Sequence, residues 1–218
     1  MINVGKKSIL HYKKHLADNV HLVAVSKTKP NDLILEAYEA GQRIFGENKV
    51  QELVEKEQSL PKDIEWHMIG HLQTNKVKYI APFVSLIHAV DSIKLLEEIN
   101  KRAKNNNKVI RCLLQLHIAK ESSKFGLNKE GILEILESKF SNVSIVGLMG
   151  MATFTSDEKQ IREEFKYLKG FYDELKEQHP GFSILSMGMS GDYDIAIEEG
   201  SNMVRIGSSI FPSHHFLT

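Results

Sequence analysis

The chain is short of several things. Its 218 residues include one cysteine, Cys112, so no internal disulfide can form and no thiolate cluster can hold a metal. A reducing cytoplasm is the expected setting. Neither sign of charge is in excess: lysine and arginine together number 28, as do aspartate and glutamate. Counterion release, which dominates binding to phosphate backbones, then has no basic field behind it, and nucleic acid is not an expected partner. No uninterrupted apolar run reaches the roughly 20 residues that a membrane-spanning helix needs. The opening residues, "MINVGKKSILHYKKHLAD", mix charged and apolar positions at helical spacing, which predicts an amphipathic helix over residues 2–19 rather than a leader. A chain neither secreted nor inserted in a membrane is expected.

Familiar motifs are missing too. "GLMGMA" at 147–152 bears glycines without the G-x-G-x-x-G spacing of a dinucleotide loop, and no segment has the spacing of a Walker loop. "WHMIGH" places His67 and His71 four apart, which on a helix would suit zinc. This run reads as a strand and lacks the glutamate of H-E-x-x-H, so His67 is expected to be an interior histidine and metal binding is not expected. There is no low-complexity segment and no repeat of fixed period; "KNNNK" at 104–108 is a polar turn, not a linker. Glu198 and Glu199 read as surface charge on a short helix, and "SHHF" as a solvated tail.

What is present is alternation. Eight short apolar, β-branched runs occur: "HLVAVSK", "RIFGEN", "IEWHMIG", "VSLIHAV", "VIRCLLQLHI", "SIVGLMGM", "FSILSMGMS" and "MVRIGSSIF". Between them lie helical segments at 32–40, 49–59, 92–104, 129–139 and 158–178. Strand and helix in turn, eight times over, predict a single (β/α)8 barrel, an α/β fold occupying residues 1–218 as one domain. An open doubly wound sheet is the competing architecture, disfavoured by the strand count and the missing dinucleotide loop.

In such a barrel, chemistry gathers at the carboxyl ends of the strands. The first run delivers Lys27 there, the second Asn48, the third His71, the sixth Met149 and Met151, the seventh Ser190 and Gly191, and the eighth Arg205, Gly207 and Ser208. Phosphate in a barrel usually lies against the loops after strands seven and eight, where backbone N–H groups and small hydroxyls approach it closely. "MGMSGD" and "RIGSS" carry that chemistry in those places, although serine and glycine are equally ordinary turn and cap residues. A strand-end lysine facing such a site suggests a phosphorylated aldehyde held as a Schiff base; desolvation would raise its free-amine fraction. Lys29 lies past the strand beside Pro30, so Lys27 is the expected nucleophile, against the plainer reading of a solvated surface charge.

The blocks "AVSKTKP", "FGENKVQE", "WHMIGHLQTNK", "GLMGMATF", "LSMGMSGDYDIAIEEGSNMVRIG" and "IF" resemble, in order and spacing, the pyridoxal phosphate homeostasis proteins of the YggS or PROSC type. The resemblance runs nearly end to end. It implies a monomeric barrel similar to the amino-terminal domain of alanine racemase, with pyridoxal 5'-phosphate as cofactor. Carried over by motif, Lys27 would hold that cofactor as an internal aldimine, and Ser190, Gly207 and Ser208 would hold its phosphate. Arg205 would face the pyridine nitrogen, Asn48 and His71 would lie near the ring, and Met149 would pack on its face. A cationic partner disfavours protonation of the ring nitrogen and so weakens the ring as an electron sink. The chain departs from the pattern at Pro212, which stands where the family commonly has glycine and cannot donate an N–H.

The resemblance implies a carrier and buffer of pyridoxal phosphate that passes it to apo-enzymes, without robust catalysis of its own. An amino-acid racemase using the same linkage is the alternative, but racemisation needs bases on both faces of the ring, and this sequence carries no second domain to supply one. A Schiff-base aldolase acting on sugar phosphates, or a barrel that has lost its ligand, are more distant readings.

Overall fold

The structure, a computed structural model, describes residues 4–122 and 125–211. Pro212 and the "SHHF" segment lie outside the described residues. A helix, α1 (Val4–His15), leads into eight strands separated by helices: β1 (His21–Val25), α2 (Asn31–Glu39), β2 (Ile44–Glu47), α3 (Val50–Ser59), β3 (Glu65–Met68), α4 (Val77–Ile80) and β4 (Leu86–Val90). The second half follows as α5 (Ile93–Asn105), β5 (Ile110–Gln115), α6 (Lys129–Glu137), β6 (Val143–Met149), α7 (Glu158–Gln178), β7 (Ile184–Met189), α8 (Tyr193–Glu198) and β8 (Met203–Ile206). All pairings are parallel, and β1 closes on β8, giving the expected (β/α)8 barrel.

Alternation along each strand sorts side chains between two cores. On β1, Val23 points inward to join Leu86, Leu113, Met149, Ile184 and Met203, while Ala24 points outward to the layer beneath the helices with Phe45, Trp66 and Leu185. Helix α7 covers its part of that layer because Ile161, Phe165, Leu168, Tyr172 and Leu175 recur at helical spacing and are buried. Fully burying such a side chain stabilises by about 1.5–3 kcal/mol. Side chains start several helices: Ser92 Oγ accepts from Leu95 N at 3.2 Å, Asn128 Oδ1 from Gly131 N at 2.9 Å, and Asp157 Oδ1 from Gln160 N at 3.2 Å. At Gly147, with φ of 155°, a Cβ would lie 1.7 Å from the Ile184 carbonyl, so β6 and β7 can pair there only around a glycine.

Two elements differ from expectation. The amphipathic helix ends at His15, several residues early, and α4 follows the 3-10 turn Thr74–Lys76 in a stretch where no helix was expected. Four helical residues are too few to print a period on the sequence.

Candidate functional site

The carboxyl ends of the strands form one mouth. At β1 the chain turns at Ser26, and everything that fixes the turn lies behind it. Ser26 is buried, and its hydroxyl donates to Glu47 Oε1 at 2.6 Å, while its N–H donates to the Gly46 carbonyl at 3.1 Å. Lys56, from α3, donates to the Ser26 carbonyl, to Glu47 Oε1 and to Glu52 Oε1, each at 2.7 Å. Glu52 Oε1 also accepts the Thr28 N–H at 2.5 Å, holding Thr28 at φ 61°, a left-handed conformation rare for a branched residue. Burial pushes the Glu47 carboxyl above its ordinary range, against the hydrogen bond from Lys56 that lowers it, and its Oε2 has no hydrogen-bond partner. Lys27 sits at the crest of this turn with its side chain exposed to solvent. The desolvation expected for it is not supplied by its own surroundings.

Opposite, across the β1–β8 seam, the two predicted phosphate turns meet. The Gly207 N–H donates to Ser190 Oγ at 3.2 Å, joining the loop after β8 to the loop after β7. Gly207 abuts Val25, and a Cβ there would lie 3.1 Å from both the Val25 carbonyl oxygen and its Cβ. Next to Ser190, a Cβ on Gly191 would meet nothing within 4 Å, so open space lies over that loop. Asp192 Oδ1 accepts the Met189 N–H at 2.6 Å and tightens the loop beneath. Ser208 is exposed beside Gly207.

Arg205 lies below, inside the barrel, 3% exposed. Its Nη1 donates to Ser186 Oγ at 2.5 Å and its Nη2 to the Gly150 carbonyl at 3.1 Å. Burial pushes the guanidinium down to about 10, opposed by the charge of Asp192, so it remains a cation at neutral pH. Behind it, His88 Nδ1 stands 2.9 Å from Ser186 Oγ, and His88 Nε2 stands 2.9 Å from His67 Nδ1. Burial, more than the nearby charges of Arg111 and His21, pushes His67 down to about 3; burial likewise holds His88 well below its ordinary value.

The remaining predicted residues ring the mouth unevenly. Asn48 is half-buried, its carbonyl against Gly70, where a Cβ would come within 2.4 Å. His71 hydrogen-bonds Asp91 Oδ2 through Nδ1 at 3.0 Å and stacks on Phe125 with centroids 3.9 Å apart. Met149 lies among the interior apolar residues without exposed surface. His67 and His71, four apart in sequence, serve different neighbours, the first deep in the barrel and the second at its rim. Glu198 is surface charge at the end of the short helix α8, as expected, with Glu199 more covered beside it, and Arg162 of α7 binds both, at 2.6 and 2.5 Å, tying α7 to α8.

Sequence reasoning passed over Ser26, Glu47, Lys56, His88 and Ser186. A carboxylate closing the apolar run "RIFGEN" and polar residues inside "LIHAV" and "ILSMGM" were the signals, because a charge or imidazole on an inward or covered strand position must find a partner.

The sequence matches the family model described as "Alanine racemase, N-terminal domain" over residues 6–214. It is 42% identical over 194 residues to a pyridoxal phosphate homeostasis protein of Aquifex aeolicus (strain VF5), which covers 87% of this chain and 85% of that protein. Among solved structures, PipY of Synechococcus elongatus PCC7942 with PLP bound is similar at a TM-score of 0.87 and 34% identity, covering 95% of this chain and 99% of that one. An alanine racemase of Clostridium difficile 630 shares the fold at a TM-score of 0.78 and 15% identity, and the match spans 98% of this chain but 61% of the racemase.

Proposed function

This chain belongs to the pyridoxal phosphate homeostasis protein family, and we propose that it binds pyridoxal 5'-phosphate reversibly on Lys27 and buffers that reactive aldehyde for delivery to apo-enzymes. The observation that carries this reading is the seam between β1 and β8. Lys27 stands two residues beyond Val25, and Val25 is in contact with Gly207, whose N–H already points at the Ser190 hydroxyl. An amine, a serine hydroxyl, a glycine N–H and, one layer down, a guanidinium are the donors that an anionic, aldehyde-bearing pyridine requires.

In this reading Lys27 would supply the amine that holds the aldehyde, and Ser190, Gly207 and Ser208 would hold the phosphate. Arg205 would face the ring nitrogen, Asn48 and His71 would flank the ring, and Met149 would back it from within the barrel. The bound cofactor supplies an electrophilic carbonyl carbon, and when conjugated to a protonated ring it also supplies an electron sink. Arg205, a buried cation that donates and cannot accept, disfavours that protonation. Storage without strong carbanion chemistry follows, by a monomer working in the cytoplasm. The racemase reading has only the shared fold behind it.

The test is an absorbance titration with pyridoxal phosphate, followed by borohydride reduction and peptide mapping. A Schiff-base band whose label maps to Lys27 and is missing in Lys27→Ala is expected. A colourless protein with no fixed label would reject the reading, and rapid turnover of either alanine enantiomer would replace the carrier with the racemase.

A further inference from the structure

Four polar residues inside the barrel, Arg205, Ser186, His88 and His67, form one chain with a direction. Arginine only donates, so Ser186 Oγ must accept from Arg205 Nη1. A hydroxyl has one proton to give, and the hydrogen bonds of the described residues leave it one recipient, His88 Nδ1 at 2.9 Å. His88 is therefore protonated on Nε2, which donates to His67 Nδ1 at 2.9 Å, and His67 in turn carries its proton on Nε2. The reverse polarity would leave the Ser186 hydroxyl proton without an acceptor at a site with no exposed surface, and an unmade buried hydrogen bond is costly. Four side chains from β3, β4, β7 and β8 are thus locked by a single cation at one end.

We propose that Ser186 and His88 are positioning residues for Arg205: the one-way chain holds the guanidinium at a fixed place beneath the mouth and so keeps the ring nitrogen of the bound cofactor unprotonated. The inference rests on the pyridoxal phosphate reading. It goes beyond that reading by assigning a role to two fully buried residues that the reading does not place against the cofactor. The deep burial that keeps both imidazoles neutral leaves Arg205 as the charge at the head of the chain.

The experiment uses the full chain loaded with pyridoxal phosphate carrying 15N at the ring nitrogen, reading the nitrogen chemical shift and the Kd together for wild type, Ser186→Ala, His88→Leu and His88→Asn. Ser186→Ala and His88→Leu are expected to weaken binding about tenfold, equivalent to ~1.4 kcal/mol, and to move the resonance toward the pyridinium position. His88→Asn, whose amide oxygen offers the Ser186 hydroxyl an acceptor, is expected to retain both wild-type values. A wild-type Kd and shift in Ser186→Ala overturns the proposal, as does an equal impairment of His88→Asn and Ser186→Ala. That pair decides the matter by itself if His88→Leu does not fold. Wild type that forms no Schiff base at all rejects the cofactor reading instead.

Discussion

Lys56 Nζ lies 2.7 Å from the carbonyl oxygen of Ser26, the residue immediately before Lys27. Two lysines therefore share one turn with opposite duties. Lys56 is buried and its ammonium donates to two carboxylates and a carbonyl, whereas the Lys27 side chain lies open at the crest. The buried lysine is the anchor of the turn, and the exposed one is the lysine proposed to hold the aldehyde.

Lys56→Met is expected to destabilise the fold by about 3–5 kcal/mol, because it strands Glu47 as an unpaired buried carboxylate. The double variant with Glu47→Leu is expected to recover most of that loss, since two apolar side chains of similar bulk need no partner. Urea unfolding of the three proteins measures both numbers, and a Lys56→Met variant as stable as wild type would remove the anchor from the account.

Gly207→Ala brings a Cβ to 3.1 Å from both the carbonyl oxygen and the Cβ of Val25. Neither is a flexible tip, so β1 and β8 must part slightly at the seam. Overpacking of this kind costs about 1–3 kcal/mol. Pyridoxal phosphate affinity is expected to drop at least tenfold, read by absorbance titration alongside thermal unfolding.

Ser190→Ala removes a hydroxyl that accepts one neutral hydrogen bond and is proposed to donate to phosphate. The stability loss is expected to stay within about 1.5 kcal/mol, while a lost hydrogen bond to a charged group weakens binding by about 1.5–3 kcal/mol, roughly tenfold to a hundredfold. Competition by inorganic phosphate provides a direct check: it should displace pyridoxal phosphate from wild type more readily than it binds to the variant.

Acid should unfold the protein through its interior histidines. His67 is held down at about 3 and His88 well below its ordinary value, so below pH 6.5 the unfolded chain takes up protons that the folded barrel refuses. Stability is fully present above pH 6.5 and falls with decreasing pH by about 1.4 kcal/mol per pH unit for each histidine. Glu47, whose carboxyl is raised by burial, acts in the opposite sense: it is protonated more readily when folded, which offsets part of the loss as the pH falls. Urea midpoints at pH 7, 6 and 5 would reveal the slope, and a flat profile over that interval would contradict neutral burial of the pair.

The barrel was legible because buried parallel strands need continuous apolar runs and covering helices need period, and both leave marks on a sequence. Glu158–Gln178 was read to its boundaries since its buried positions recur over about four turns and Asp157 caps it. Strand ends were read too far. The run "VIRCLLQLHI" continues apolar past Gln115, where Leu116 leaves the sheet to pair with Leu127 in the loop before α6. The strand-end placement of the candidate residues was legible, that of Ser190 and Gly207 most clearly, as their hydrogen bond joins two turns that the sequence had marked separately. The supports beneath them were not. Lys56 looks like any charge on a helix, and nothing local tells that it reaches Ser26, 30 residues away. His88 and Ser186 are 98 residues apart and meet only because the sheet closes.

That closure gives the binding site an order of assembly. Lys27 follows the first strand and Gly207 the last, and Val25 and Gly207 become neighbours when β8 docks against β1. On the proposed reading, a chain emerging from the ribosome has no complete cradle until its final strand is in place, and ligand capture would be a proof of finished folding. Conversely, a ligand held across the seam acts as a latch: it binds only the closed ring and so adds its binding free energy to the one pairing that keeps the first and last strands together.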